Sequence, residues 1–491
     1  MARDPQRALI ALNRFGLGAR GGASGDIEAA ATDPRGWIKA ELTKPNVALL
    51  EAPNLLDSPA LADLLFAYRK EVQAQRAAPR KPDDTMAAAT AGNVTMQTDA
   101  AGGAVVPPAQ PQAQQVPNQP LNIVQKTYRG EALARIQRAT IAEVGLVERL
   151  VAFWSNHFCI SASKGEFARI WAGAFEREAI RPHVLGRFAD MLRAVEQHPA
   201  MLFFLDNQQS FGPNSPAGVN RRKGLNENLA REIMELHTLG VNGGYTQADV
   251  TSLARIITGW TFAGPQGRIG RPGSFVFFAN AHEPGPHGLL GKSYAADGVA
   301  QGEAALTDLA RHPSTARFIA TKLARHFIAD DPPASLVAEL ADLFAKTDGD
   351  LRAVTNALVD CDAAWTSPLT KIRNPFEFLI ATGRMLASIP ADPARYLGGL
   401  SLLGQPLWSP SGPNGFPDTS AAWASPEGMK LRLDVSVQIA SRFADIVEPR
   451  DLLMLMAGRA ASSETQAAID GAESRKQALA LLLMSPEFQR R

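Results

Sequence analysis

Apolar residues recur at three- and four-residue steps along most of this 491-residue chain, the spacing of helices that bury one face. Within residues 139–158, Leu146, Leu150, Phe153, Trp154 and His157 fall on one such stripe. Thr246 opens another helix with a capping box, accepting from the Asp249 amide while Asp249 reaches back to the Thr246 amide. Val250, Leu253, Ile257 and Trp260 carry that helix on. The same period returns around 166–180, 183–197, 303–311, 314–327, 335–346, 350–360, 374–388, 429–444 and 474–483. Period-two alternation is scarce, and SFVFFAN at 274–280 is the best strand candidate. The expected fold is mainly α: a multi-helix globular domain with at most a short strand or hairpin. Long Gly/Pro-rich loops interrupt it at 210–224, 262–273, 281–298 and 396–428.

One stretch breaks the pattern. From Arg69 to Thr127 there is no Phe, Tyr or Trp, except that Tyr68 and Tyr128 flank it, and between Thr85 and Pro120 the sole charge is Asp99. Such a segment buries too little apolar surface to offset its ordering entropy. Residues 77–120 are therefore expected to be a disordered Pro/Gln/Ala-rich insertion. It separates an N-terminal helical part, 1–76, from the main helical part, 121–491, of the same domain.

Composition narrows the function classes. Fifty basic against forty-nine acidic residues leave a formal charge of +1, so no global field draws the chain to nucleic acid, and none is expected as a partner. No 18-residue apolar run exists, so no membrane span is expected. Cys159 and Cys361 share no metal-type spacing and are too few for a disulfide framework. The start shows no export signal, which reads as cytoplasmic as written, or as periplasmic or exported if a leader has been removed.

Several signatures come close and miss. GLLGKS at 288–293 ends like a phosphate-binding loop, but the first glycine that motif needs falls at Pro286. HEPGPH at 282–287 spaces its histidines one residue too far for His-Glu-x-x-His, and its prolines forbid the helix. GLGARG at 16–21 fits Gly-x-Gly-x-x-Gly without a preceding strand.

The densest polar chemistry lies at 226–250, NENLAREIMELHTLGVNGGYTQADV. On a regular helix, Leu225, Leu229, Leu236 and Leu239 form a stripe that includes Glu232, which directs a carboxylate toward the core. A buried charge needs a cation, donors or a proton. The candidate catalytic set is Glu232, Glu235, His157, Arg231 and Asp206, gathered between helices as in metal-binding bundles. The candidate binding set is Asn156, Asn228, His237, His282, Glu283, His287 and Lys292. Two carboxylates three residues apart could hold a divalent metal, or one could serve as a general acid. The competing structural reading is an ion-pair ladder, Glu227 to Arg231 to Glu235, with Asn156 capping its helix and His157 a satisfied core residue.

LNRFGLGA at the start, FWSNHF at 153–158, HPAMLFFLDN at 198–207, NENLAREIMELHTLGV at 226–241, YTQADVTSLARIITGW at 245–260, the HEPGPHGLLGK loop, LGQPLWSPSGPNGFPD at 403–418 and LLLMSPEFQ together resemble the bacterial family of domain of unknown function 1800, DUF1800. The resemblance spans nearly the whole chain outside the insertion. It implies a mainly helical protein, often exported, and a sulfatase-like protein of the fifteen-hundred-and-one family as a candidate partner. It transfers no reaction. Where relatives show His-Asp and then Lys, this chain has His282-Glu283 and His287. The resulting expectation is an enzyme-like helical protein doing general acid/base or metal-assisted chemistry on a polar substrate, saccharides among the candidates. The alternative is a non-catalytic envelope or extracellular-matrix protein in which the same residues form a structural polar network.

Overall fold

Helices form where the spacing predicts them, and their ends follow local capping chemistry. A computed structural model describes residues 4–22, 25–77 and 120–491, so all but the two end residues of the expected insertion lie outside the described residues. The described part is 62% helical, with two short antiparallel strand pairs, so the fold is mainly α. Capping boxes start the helices Ile123–Ile141 (Asn122 with Gln125), Gln247–Ile256 (Thr246 with Asp249) and Pro375–Met385 (Asn374 with Glu377). No helix among the described residues is long and apolar enough to cross a membrane.

Leu146–His157 is buried along most of its length, with Trp154 fully buried against Phe158 and Phe188. Ile123–Ile141 packs on Glu166–Phe175, and Pro313–Phe327 packs on Ala334–Lys346. Near the chain's end, Pro426–Phe443 packs on Arg475–Met484. One hydrophobic cluster joins buried residues from Ala8 to Phe488, on both sides of the insertion.

Three expectations are corrected here. The helix opened by Thr246 ends at Ile256, and Trp260 instead begins a strand, Trp260–Phe262, that pairs with Phe275–Phe277 inside the expected SFVFFAN segment. Gly259, at φ +81°, turns the chain between them, a conformation that carries little strain only for glycine. The loop 281–298 contains a hairpin, His287–Leu289 paired with Lys292–Tyr294, so the GLLGKS run is strand and turn.

The third concerns 225–239. The regular helix is only Asn228–Glu232, followed by a five-residue π turn, Ile233–His237. A π turn inserts one extra residue and rotates everything after it by about 100° relative to an α-helical wheel. Leu225 precedes the helix, Glu232 is half-buried rather than aligned with the leucines, and His237 is fully buried.

Candidate functional site

Two helices face each other with matching triplets. Leu146–His157 presents Phe153, Asn156 and His157, and Pro313–Phe327 presents Lys322, Arg325 and His326, each triplet spaced to share one helix face. The pairing is antiparallel: the His326 ring lies 5.3 Å from the Phe153 ring, and Lys322 Nζ lies 2.9 Å from His157 Nδ1. Between them opens a cavity of about 300 Å³. Gln405, Trp408, Phe416 and Asp418 close it from the 403–419 loop, and Phe376 lines it as well.

Asn156 fastens the loop wall. Its Nδ2 donates to the Phe416 carbonyl at 2.9 Å, and its Oδ1 accepts from the Phe416 amide at 2.8 Å, so it grips the loop instead of capping its helix. Gly415, at φ +74°, lets the backbone pass; a Cβ there would meet the Asn156 carbonyl oxygen at 2.5 Å. Cys159 Sγ donates to the Pro413 carbonyl at 3.2 Å, and burial pushes its thiol up to about 12.

The protonation state of His157 follows from its partners. Nε2 lies 3.1 Å from the His237 carbonyl oxygen, which can only accept, so Nε2 carries the proton and Nδ1 accepts from Lys322. Burial, then the Lys322 charge, holds the imidazole well below its usual pKa. His237 is itself oriented by an Nδ1 hydrogen bond to Glu196 at 2.8 Å, both side chains fully buried. Burial brings the Lys322 ammonium down to about 8, against the raising influence of Cys159 and Asp418. Among the described residues no carboxylate lies within 4 Å of the Lys322 or Arg325 head groups.

A second dyad sits one turn along the same helix. His326 Nδ1 donates to Asp418 at 2.8 Å. Burial alone would raise the Asp418 carboxyl, but His326, Arg491 and Lys371 outweigh it and hold it far below the carboxylate range. Arg491 lies 3.3 Å from Asp418 and 2.6 Å from Glu377. Burial lowers His326 to about 4 despite Asp418.

Of the sequence candidates, the structure brings Asn156 and His157 to the cavity wall and sets His237 directly behind it. The others lie elsewhere. Glu232 is half-buried beside His237 and Glu235, and burial raises its pKa; neither acid lines the cavity. Arg231 pairs with Glu227 at 3.1 Å and also donates to Gln247, so the first rung of the expected ladder forms without its second. Asn228 is exposed. Asp206 pairs with Lys164 at 2.6 Å. Glu283 is buried and accepts from the Asn214 amide and side chain, while His282 Nδ1 donates to the Thr258 carbonyl at 2.9 Å. His287 is half-buried on the hairpin, and Lys292 is exposed and paired with Asp308. Among the described residues no group of three or more His, Cys, Asp or Glu side chains is placed to hold a metal ion. Hydrogen bonds already engage both nitrogens of His157 and Nδ1 of His237.

Lys322, Arg325, His326 and Asp418 were missed by the sequence reading. A signal existed for His326: it falls on the stripe of Ile319, Leu323 and Phe327, as His157 does on its own. Lys322 gave none, since a lone lysine on a helix reads as solvated.

No curated protein and no solved structure matches the chain. The family described as a protein of unknown function, DUF1800, matches residues 10–490, and with nearly the whole length covered the chain belongs to that family.

Proposed function

We propose that the chain is an enzyme whose cavity takes a small, polar, anionic substrate and moves protons on it through the Lys322–His157 pair. The observation that carries this reading is the Lys322 ammonium, 2.9 Å from a neutral imidazole on a cavity wall and without a carboxylate partner among the described residues. A charge drawn partly out of water without a counter-ion is costly, and Lys322 is half-buried. Arg325, three residues away and also without a carboxylate among the described residues, adds a second cation to the same wall. A substrate anion supplies the missing charge. The rings of Phe376, Trp408 and Phe416, with the amides of Gln405 and Asn414, suit an acidic saccharide better than an apolar ligand. His157 Nδ1 is the proton acceptor, and the His326–Asp418 dyad is a second acid/base group on the wall.

The structural reading fits other candidates better. Asp206, Arg231, Glu283 and Lys292 each have partners of opposite charge or complementary hydrogen bonds outside the cavity.

Thermal denaturation with glucuronate, glucose and inorganic phosphate tests the proposal. Glucuronate should raise the melting temperature of the wild type and glucose should not, and Lys322→Met and Arg325→Ala should each abolish the rise. Equal responses in wild type and both variants would overturn it.

A further inference from the structure

The cavity wall holds an amine in an arrangement that does more than bind an anion. Among the described residues Lys322 Nζ has one hydrogen-bond partner, His157 Nδ1, and that partner is an acceptor. A neutral amine can therefore donate one N–H to the imidazole and turn its lone pair toward the cavity. His157 cannot rotate away, because its Nε2–H is held by the His237 carbonyl, and the ring packs edge-on against Phe158. The neighbouring thiol of Cys159 is no rival nucleophile, being buried, bonded to a carbonyl and protonated.

We infer that Lys322 is a covalent site, whose Nζ condenses with the carbonyl carbon of a small anionic oxo compound to form an imine and release water. This rests on the reading of the cavity as an anionic-substrate site and names the reactive group that substrate carries. The nitrogen lone pair forms the C–N bond while the carbonyl π pair moves onto oxygen. Both amine protons end on that oxygen, relayed by His157 Nδ1, and it leaves as water with the C–O pair as the N–H pair becomes the C=N π bond. Arg325 faces the same space and is placed to hold the anionic group.

The groups facing the amine are His157 and Cys159 on one side, Asp418 on the loop and Arg325 on its own helix. With the amine near 8 against an ordinary lysine at about 10.4, its neutral fraction at pH 7 exceeds that of a surface lysine by roughly two orders of magnitude.

The test is reductive trapping on the full chain with glyoxylate and sodium cyanoborohydride at pH 7, read by intact mass and peptide mapping. The expected result is one carboxymethyl group per chain at Lys322, formed roughly a hundredfold faster than at any exposed lysine, with a rate that rises to a plateau above pH 8. Lys322→Arg should lose the adduct while keeping the wild-type circular dichroism. Because that variant could misfold, competition on the wild type provides a second arm: glucuronate should slow trapping at Lys322 and leave surface lysines unaffected. Labelling spread evenly over exposed lysines would overturn the inference. If glucuronate still raises the melting temperature in a Lys322-dependent way while no adduct forms, the imine step alone is wrong. If both fail, the proposed function falls with it.

Discussion

Two polar clusters, one buried and one half-buried, lie back to back in this protein and close their charges differently. In the first, Arg181 bridges Glu148 at 2.9 Å and Glu176 at 3.1 Å, and Arg135 meets Glu176 at 2.9 Å. Ser155 and the Trp408 indole complete the shell of Glu176. Burial would raise Glu176, but the two arginines outweigh it and keep the carboxyl below its usual value. In the second cluster, Lys322 and Arg325 face a cavity that Asp418 also lines, but among the described residues no carboxylate lies within 4 Å of either head group. Arg135, Ser155 and Trp408 line that same cavity, so the closed cluster is the rigid backing of the open one. Burial and charge alone do not distinguish architecture from chemistry. What distinguishes them is whether the charges cancel inside the protein or wait for something from outside.

The strongest way to break this comparison is to open the closed cluster. Arg181→Met would leave Glu148 and Glu176 buried without their main counter-charge, so unfolding free energy should fall by about 3–5 kcal/mol in urea titrations. A loss below about 1 kcal/mol would show that the cluster does not hold the fold.

Lys322→Met should act in the opposite direction. A lysine whose folded pKa lies near 8, below its unfolded value of about 10.4, binds fewer protons folded than unfolded between those limits, so its contribution to stability rises with pH across that window. Below pH 8 the wild type carries the full penalty. The methionine variant should therefore be the more stable at pH 7, by on the order of 2 kcal/mol, and the gap should close by pH 10. Destabilisation at pH 7 would place Lys322 with the structural cluster.

The imidazoles predict an acid limb of similar sign and smaller size. His326, lowered to about 4, and His157, also lowered, stay neutral in the fold while the unfolded chain takes protons from about pH 6.5 downward. Stability should drop as pH falls from 6.5 toward 4. In His326→Gln the fall in urea midpoint between pH 7 and pH 5 should be smaller than in the wild type, by an amount equivalent to about 1–2 kcal/mol. An unchanged pH dependence would mean that His326 takes up its proton in the fold as readily as in the unfolded chain.

The same comparison shows how far the sequence could be read. Leu146–His157 is a regular α-helix, so its stripe put His157 and Phe153 on the buried face as expected. The 225–239 segment failed because no spacing rule announces a π turn, and that single extra residue, inserted after Glu232, broke its register with Leu236 and Leu239. Glu176 lies in a second π turn, Glu176–Ile180, and went unnoticed as a buried acid. Lys322 was illegible for another reason. Its environment comes from a helix 165 residues away in sequence, and the antiparallel pairing that creates it is a tertiary fact.

Glu232 supplies the finest test, since periodicity made it the central acid and the coordinates set it beside the cavity's back wall. Its carboxylate is half-buried, with no cation within 4 Å among the described residues, and burial holds its pKa up. A raised carboxyl binds more protons folded than unfolded, so it is tolerated at low pH and becomes unfavourable as pH rises through its folded pKa. Glu232→Gln removes that charge at little steric cost and should be neutral or stabilising at pH 7, within about 1 kcal/mol. It should leave the glucuronate response and the trapping at Lys322 intact, because neither depends on a side chain outside the wall. Loss of both with the fold preserved would return the acid to the centre of the site, and would mean that His237 carries its influence through to His157 across the hydrogen bond that joins them.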